Sequence, residues 1–196
     1  ASTTPDQKMS NIGFRVVRNG DNNSDTSVIS DTNRNLQTQT GGNILIAYFS
    51  WSGNTENAAQ IIQEQTGADI IELNPAEPYS SNYSEVLDQA QKDMNADARP
   101  ELANHVENME QYDTILLGYP NWWATIPMPV ATFLEEYDFS GKTIIPFCSH
   151  GGGGFGQSIT DISKLAPNSR IGEGLSIHYS GGTSLENDIT TWLNSN

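Results

Sequence analysis

Residues Ser50-x-Ser52-Gly53-Asn54-Thr55 gather three hydroxyls, a carboxamide and a glycine into six positions, directly after the uncharged apolar run 44–49. A helical pattern begins at once, with Ala58, Ala59, Ile61 and Ile62 as its apolar stripe. Strand, tight polar turn and helix N-terminus together make a receptor for an anion. The first-turn amides have no intrahelical acceptor, and the helix dipole favours negative charge there. The same residue types are good helix caps, so on its own the spacing leaves an ordinary capped helix open. No Lys or Arg occurs between Gly41 and Gln91, so a phosphate held here is bound by neutral donors. That argues against an ATPase P-loop, which ends in Gly-Lys-Ser/Thr, and against the G-x-G-x-x-G turn of dinucleotide folds.

Two further loops carry matching chemistry. Pro120-Asn121-Trp122-Trp123-Ala124 follows an apolar run at 113–119. Adjacent loop tryptophans offer flat faces for a planar aromatic ligand, with packing into the core or a dimer contact as the alternative. After the run 143–148 come Ser149, His150, Gly151, Gly152, Gly153, Gly154 and Phe155. Four consecutive glycines let the backbone approach a ligand and present its N–H and C=O groups as a polar edge. A phosphate hole, an aromatic clamp and a polar glycine edge together describe a site for flavin mononucleotide (FMN).

These loops need elements to hold them at one end of a common sheet. Strand patterns fall at 44–49, 69–73, 113–119, 143–148 and 171–177, and helical patterns at 55–66, 82–94, 128–137, 156–165 and 185–194. Gly67 is placed to cap the first helix, Pro127 and Pro129 to start the third, and 138–141 and 167–168 to turn the chain. Alternation at this spacing predicts an α/β three-layer sandwich, a five-stranded parallel sheet with helices on both faces. Ligands of such sheets sit at the carboxyl ends of the strands, near the switch in strand order.

The 196 residues divide into an N-terminal arm and linker, 1–42, and one domain, 43–196. In the arm, Ile12, Phe14 and Val16 alternate like a half-buried strand, whereas 19–43 is polar and holds only three aliphatic residues. The net charge of −15 belongs to the domain, which has 20 acidic against 5 basic residues; the arm has four of each. Such a surface disfavours nucleic acid and anionic membranes and suits a basic protein partner. One cysteine, Cys148, excludes an internal disulfide and a multi-cysteine zinc site. At a buried strand end it reads as a packing residue. No apolar run reaches membrane-spanning length, and the first residues do not read as a secretory signal. A cytoplasmic protein is expected, or an extracytoplasmic one if the N-terminus is a processed end.

The segment from residue 43 onward resembles the flavodoxin-like family, specifically members that carry a Tyr-Pro-x-Trp-Trp loop. The resemblance is borne by Ser50-x-Ser52-Gly53-Asn54-Thr55, by Asn-Ala-Asp-Ala-Arg-Pro at 95–100, and by Tyr119-Pro-Asn-Trp-Trp-Ala124. It implies that Ser50, Ser52, Gly53, Asn54 and Thr55 hold the phosphate of FMN. Pro120, Asn121, Trp122, Trp123 and Ala124 would then flank the isoalloxazine, and Ser149, His150 and the stretch from Gly151 to Phe155 would meet its polar edge. A backbone group near 122–124 or 150–153 is expected to face the flavin N5. His150 is either a flavin contact able to charge near neutral pH or a loop histidine bonded to backbone. His105 and His178 have no ligand-like neighbours in sequence. Many flavodoxins have a tyrosine on the fourth-strand loop; here Phe155 stands there, with Tyr179 as an alternative cover.

The implied activity is electron transfer or oxidoreduction, with a basic redox partner protein or a small-molecule acceptor. Carrier and NAD(P)H-dependent quinone reductase both remain open, as do a non-catalytic flavin-binding module fused to another domain and a homodimer. A receiver-type signalling domain is excluded because Pro120 stands where the phosphoacceptor Asp would be, and a Gly-x-Ser-x-Gly hydrolase because the pentapeptide does not occur. Residues 10–18 resemble the closing strand of formylglycine-generating, sulfatase-modifying domains, which would make the chain the tail of a fusion.

Overall fold

A computed structural model describes residues 43–196; the expectations for the arm, including the strand and the resemblance at 10–18, lie outside the described residues. The chain runs β1 (Asn43–Tyr48), α1 (Asn54–Thr66), β2 (Asp69–Glu72), α2 (Tyr83–Asn95), β3 (Tyr112–Pro120), α3 (Met128–Glu136) and β4 (Thr143–His150), then α4 (Ser158–Leu165), β5 (Arg170–Ile171), β6 (Leu175–His178) and α5 (Leu185–Leu193). The sheet is parallel throughout, in the order β2-β1-β3-β4-β5, with β6 also beside β4.

β1 is apolar along its length because both its faces are covered. Ile44, Ile46 and Tyr48 pack with Ala58, Ala59 and Ile62 of α1 and with Ile189 and Trp192 of α5. Leu45, Ala47 and Phe49 belong to the opposite core, beneath Val130, Phe133 and Leu134 of α3 and Ile162 of α4. The three-layer sandwich is therefore present. β1 lies between β2 and β3, so strand order reverses there and opens the crevice that receives ligands in such sheets.

The helix boundaries follow local chemistry. Gly67 closes α1 in the left-handed conformation, its amide bonded to Gln63 O at 2.7 Å. The Asn82 side chain accepts from the amides of Ser84 and Glu85 and caps α2. Pro127 and Pro129 begin α3.

One expected strand is divided. The run 171–177 becomes β5 and β6, and between them the chain uses one more residue than β4 does over the same length. Pro146 supplies the reason. Ile144 O accepts from Gly172 and His150 O from Tyr179, so alternate β4 residues, Pro146 among them, turn their backbone groups toward this edge. Pro146 has no N–H to give, and the ladder breaks at that point.

Candidate functional site

The β1–α1 turn stands at the carboxyl end of the sheet. Gly53 takes φ 85° at the N-cap of α1 and makes no side-chain cap bond; that left-handed conformation suits glycine. The Glu56 amide donates to Ser50 Oγ at 3.2 Å, and the Asn57 amide to Gly53 O at 2.9 Å. Among the described residues, the amides of Ser52, Gly53, Asn54 and Thr55 donate to no acceptor. Ser52 is exposed and Asn54 half-buried. Thr55 behaves differently: it is buried, and its Oγ1 lies 2.8 Å from Ser149 Oγ at the end of β4. Glu56 adds a negative charge to the first turn of α1. Nearby, burial, with help from Glu56 and against a hydrogen bond from Asn74, raises the pKa of Glu72.

The tryptophan pair divides between core and surface. Trp122 packs edge-on against Phe49 and Tyr79, with ring centroids 5.2 Å from each. Trp123 is 45% exposed, and its indole N–H donates to Leu87 O on α2 at 3.1 Å. The two expectations for the pair, core packing and a presented face, are each met by one residue. The backbone explains the split. Trp122 and Thr125 exchange bonds of 3.1 and 3.0 Å around Trp123 (φ 49°) and Ala124 (φ 63°). This is a two-residue turn with both central residues left-handed, a type normally filled by Asn-Gly.

Asn121 ties this loop to the glycine loop. Its amide donates to Ser149 O at 2.8 Å and its carboxamide nitrogen to Gly154 O at 2.6 Å. Pro120 pairs with Ser149 at the last step of the β3–β4 ladder. At Gly152 and Gly154, which are exposed and half-buried, a Cβ would meet nothing within 4 Å. His150 Nδ1 accepts the Gly152 amide at 3.0 Å, so Nε2 carries the proton that bridges to Ser176 Oγ at 2.8 Å. Burial, then the neighbouring His178, lowers the His150 pKa below the usual imidazole value.

Some expected residues are positioned unexpectedly. The Phe155 ring turns inward to Gly174 and Pro146 and is half-buried. Tyr179 is exposed at φ 51°, its ring against Gly151. His178, unconnected to the loops in sequence, stands with its ring 5.7 Å from His150 and 4.4 Å from Tyr179. Trp51, Tyr79 and Tyr83 also join this end of the sheet. Trp51 Nε1 donates to Ser80 O at 2.9 Å, and its ring leans on Tyr83. The available signal was Trp51's place inside the hydroxyl motif and the aromatic Pro78-Tyr79 step after β2. Cys148 is fully buried, and burial pushes its thiol up to about 12, against a weaker opposing hydrogen bond from Asn121. It stays protonated and inert near neutral pH.

A phosphorylated planar heterocycle suits this chemistry: free amides and a helix N-terminus for the phosphate, an aromatic loop beside it, and a backbone edge with open space opposite. Among the described residues no cluster of His, Cys, Asp and Glu could hold a metal ion, and no helix is long and apolar enough to cross a membrane.

Residues 43–196 match a family model described as Flavodoxin. Flavodoxin 1 of Escherichia coli K12 is 30% identical over 106 residues, covering 52% of this chain and 46% of that protein; the chain thus spans about half the length of the curated relatives it matches. A crystal structure from Bacteroides eggerthii, described as a flavoprotein, superposes with a TM-score of 0.69 at 33% identity, covering 78% of this chain and 96% of that one. A flavoprotein of Lactobacillus acidophilus, crystallised in complex with FMN, shares the fold at a TM-score of 0.61 and 20% identity, over 77% of this chain and 98% of that one.

Proposed function

This chain belongs to the flavodoxin family, and we propose that it binds FMN at the three loops and serves in electron transfer. The observation that carries the reading is the β1–α1 turn, whose four consecutive amides, at residues 52–55, have no acceptor among the described residues, facing a glycine loop across the switch in strand order. The phosphate would be held by those amides, by the hydroxyls of Ser50 and Ser52, by the Asn54 side chain, and by the dipole of α1.

Pro120 to Ala124 would cover one side of the ring system, with Trp123 presenting an indole face whose N–H is already engaged. Ser149, His150 and Gly151 to Gly154 would supply the polar edge, where the open backbone at Gly152 and Gly154 allows close approach. Phe155 would contribute by packing that loop onto β4 rather than by touching the ring. FMN when bound supplies reversible one- and two-electron chemistry; the protein binds, orients and shields it. His150, kept neutral by its surroundings, holds the loop through Gly152 and Ser176.

The acidic domain suits a basic redox partner protein, with electrostatic steering of the encounter; a small-molecule acceptor is the alternative. A lone buried thiol suits a reducing, cytoplasmic setting. Titration of the purified apoprotein with FMN, followed by calorimetry and by visible absorption, tests the cofactor. Stoichiometric binding with flavin bands in the blue and near-ultraviolet is expected, and a colourless protein indifferent to FMN would overturn the reading. An NAD(P)H oxidation assay on the loaded protein then separates reductase from carrier.

A further inference from the structure

Thr55 and Ser149 lie 94 positions apart, yet their hydroxyl oxygens stand 2.8 Å from one another. Both residues are buried, at 1% and 5% exposure. The contact does not end there. Ser149 O accepts the Asn121 amide at 2.8 Å, and the Asn121 side chain donates to Gly154 O at 2.6 Å. One chain of hydrogen bonds therefore runs from the first turn of α1, through the end of β4 and the tryptophan loop, to the glycine loop.

We infer that Thr55 and Ser149 form a buried clasp that fixes the phosphate turn to the ring loops, and that the Thr55 hydroxyl is a positioning group rather than a phosphate ligand. The inference rests on the FMN reading above. A hydroxyl has one proton to donate, and at 1% exposure the Thr55 side chain offers almost no surface to a ligand atom. The accessible donors of the turn are the Ser52 hydroxyl and the backbone amides. Phosphate and ring are two ends of one ligand, so affinity depends on holding their subsites at a fixed separation before binding. A buried hydroxyl pair does this well, because loss of either partner leaves the other unsatisfied in a region that water does not reach.

Calorimetric titration with FMN and with riboflavin, which lacks the phosphate, tests the clasp in Thr55→Val, Ser149→Ala, the double variant and Thr55→Ser. The two single changes are expected to weaken FMN binding by similar factors, about three- to tenfold on the net worth of one hydrogen bond. The double variant should be no weaker than either single one, and Thr55→Ser should restore wild-type affinity. The preference for FMN over riboflavin should shrink in the two hydroxyl-deleted forms. Thr55→Val keeps the shape of the side chain, so it carries the test should Ser149→Ala fail to fold.

A Thr55→Val loss far larger than that of Ser149→Ala would make Thr55 a direct phosphate ligand and overturn the inference. Additive losses in the double variant, or a lowered apoprotein melting temperature with the FMN-over-riboflavin preference unchanged, would overturn it too. Silent variants in a protein that binds FMN remove the clasp alone; a wild-type protein that ignores FMN removes the cofactor reading and the clasp with it.

Discussion

Gly156 lies directly beneath Ala124. A side-chain carbon at position 156 would stand 2.3 Å from the Ala124 carbonyl oxygen, the same oxygen that accepts the Gln157 amide at 2.7 Å. The turn that presents Trp123 is thus braced from below by the chain entering α4. With φ at 54° besides, Gly156→Ala would meet both a backbone clash and left-handed strain. We expect a loss of about 2 kcal/mol or more, read as a melting temperature lower by roughly 4–8 °C. Weaker FMN binding should accompany it, because the loop shifts.

Ala124 sits at φ 63° in a turn whose type favours glycine. Ala124→Gly should raise the stability of the apoprotein by about 0.5–1 kcal/mol, since the left-handed conformation no longer opposes a Cβ. FMN affinity should fall at the same time, as the turn becomes free to leave the conformation that the ligand needs. Denaturant unfolding and FMN titration of the same variant check both signs.

The phosphate turn has no neighbouring cation and has Glu56 in its helix. Within an acidic domain, a dianionic ligand is opposed by long-range repulsion, which salt screens. FMN binding should therefore tighten, by a few-fold on this argument, between low and moderate ionic strength. Glu56→Gln should tighten binding at low salt and flatten the salt dependence. Weakening with added salt would point to a basic residue at the phosphate and contradict the neutral-donor site.

The lowered pKa of His150 fixes the sign of its pH effect. Burial and His178 oppose its protonation, so the folded protein binds that proton less readily than the unfolded chain does. The stabilisation this gives is fully present above the ordinary imidazole pKa and is lost as pH falls through the lower folded value. Histidine NMR titration should place His150 below an unperturbed imidazole, and His178→Gln should raise it part of the way back. A His150 pKa unmoved by His178→Gln would leave burial as the sole cause.

The phosphate turn was legible because its signal is local. Ser50 to Thr55 follow an uninterrupted strand and precede a helical stripe, and no partner elsewhere in the chain is needed to recognise that order. The layers were legible for a similar reason: 44–49 is apolar at every position, as only a strand covered on both faces requires. The break at Pro146 was harder to see. It depends on which neighbour that residue's missing N–H would have faced, a matter of register across β4 and the last strand.

The amino-acid order alone determined the α/β alternation, the identities of the three loops and the neutral, cation-free character of the anion turn. These follow from period, turn chemistry and charge, all set by residues near one another in the chain. Tertiary structure decided which tryptophan turns inward and which outward, that Phe155 faces the core, that His178 stands beside His150, and that Thr55 meets Ser149. Each of these depends on the direction of a side chain between segments tens of residues apart, and that direction is set by packing and by the few backbone conformations that packing permits.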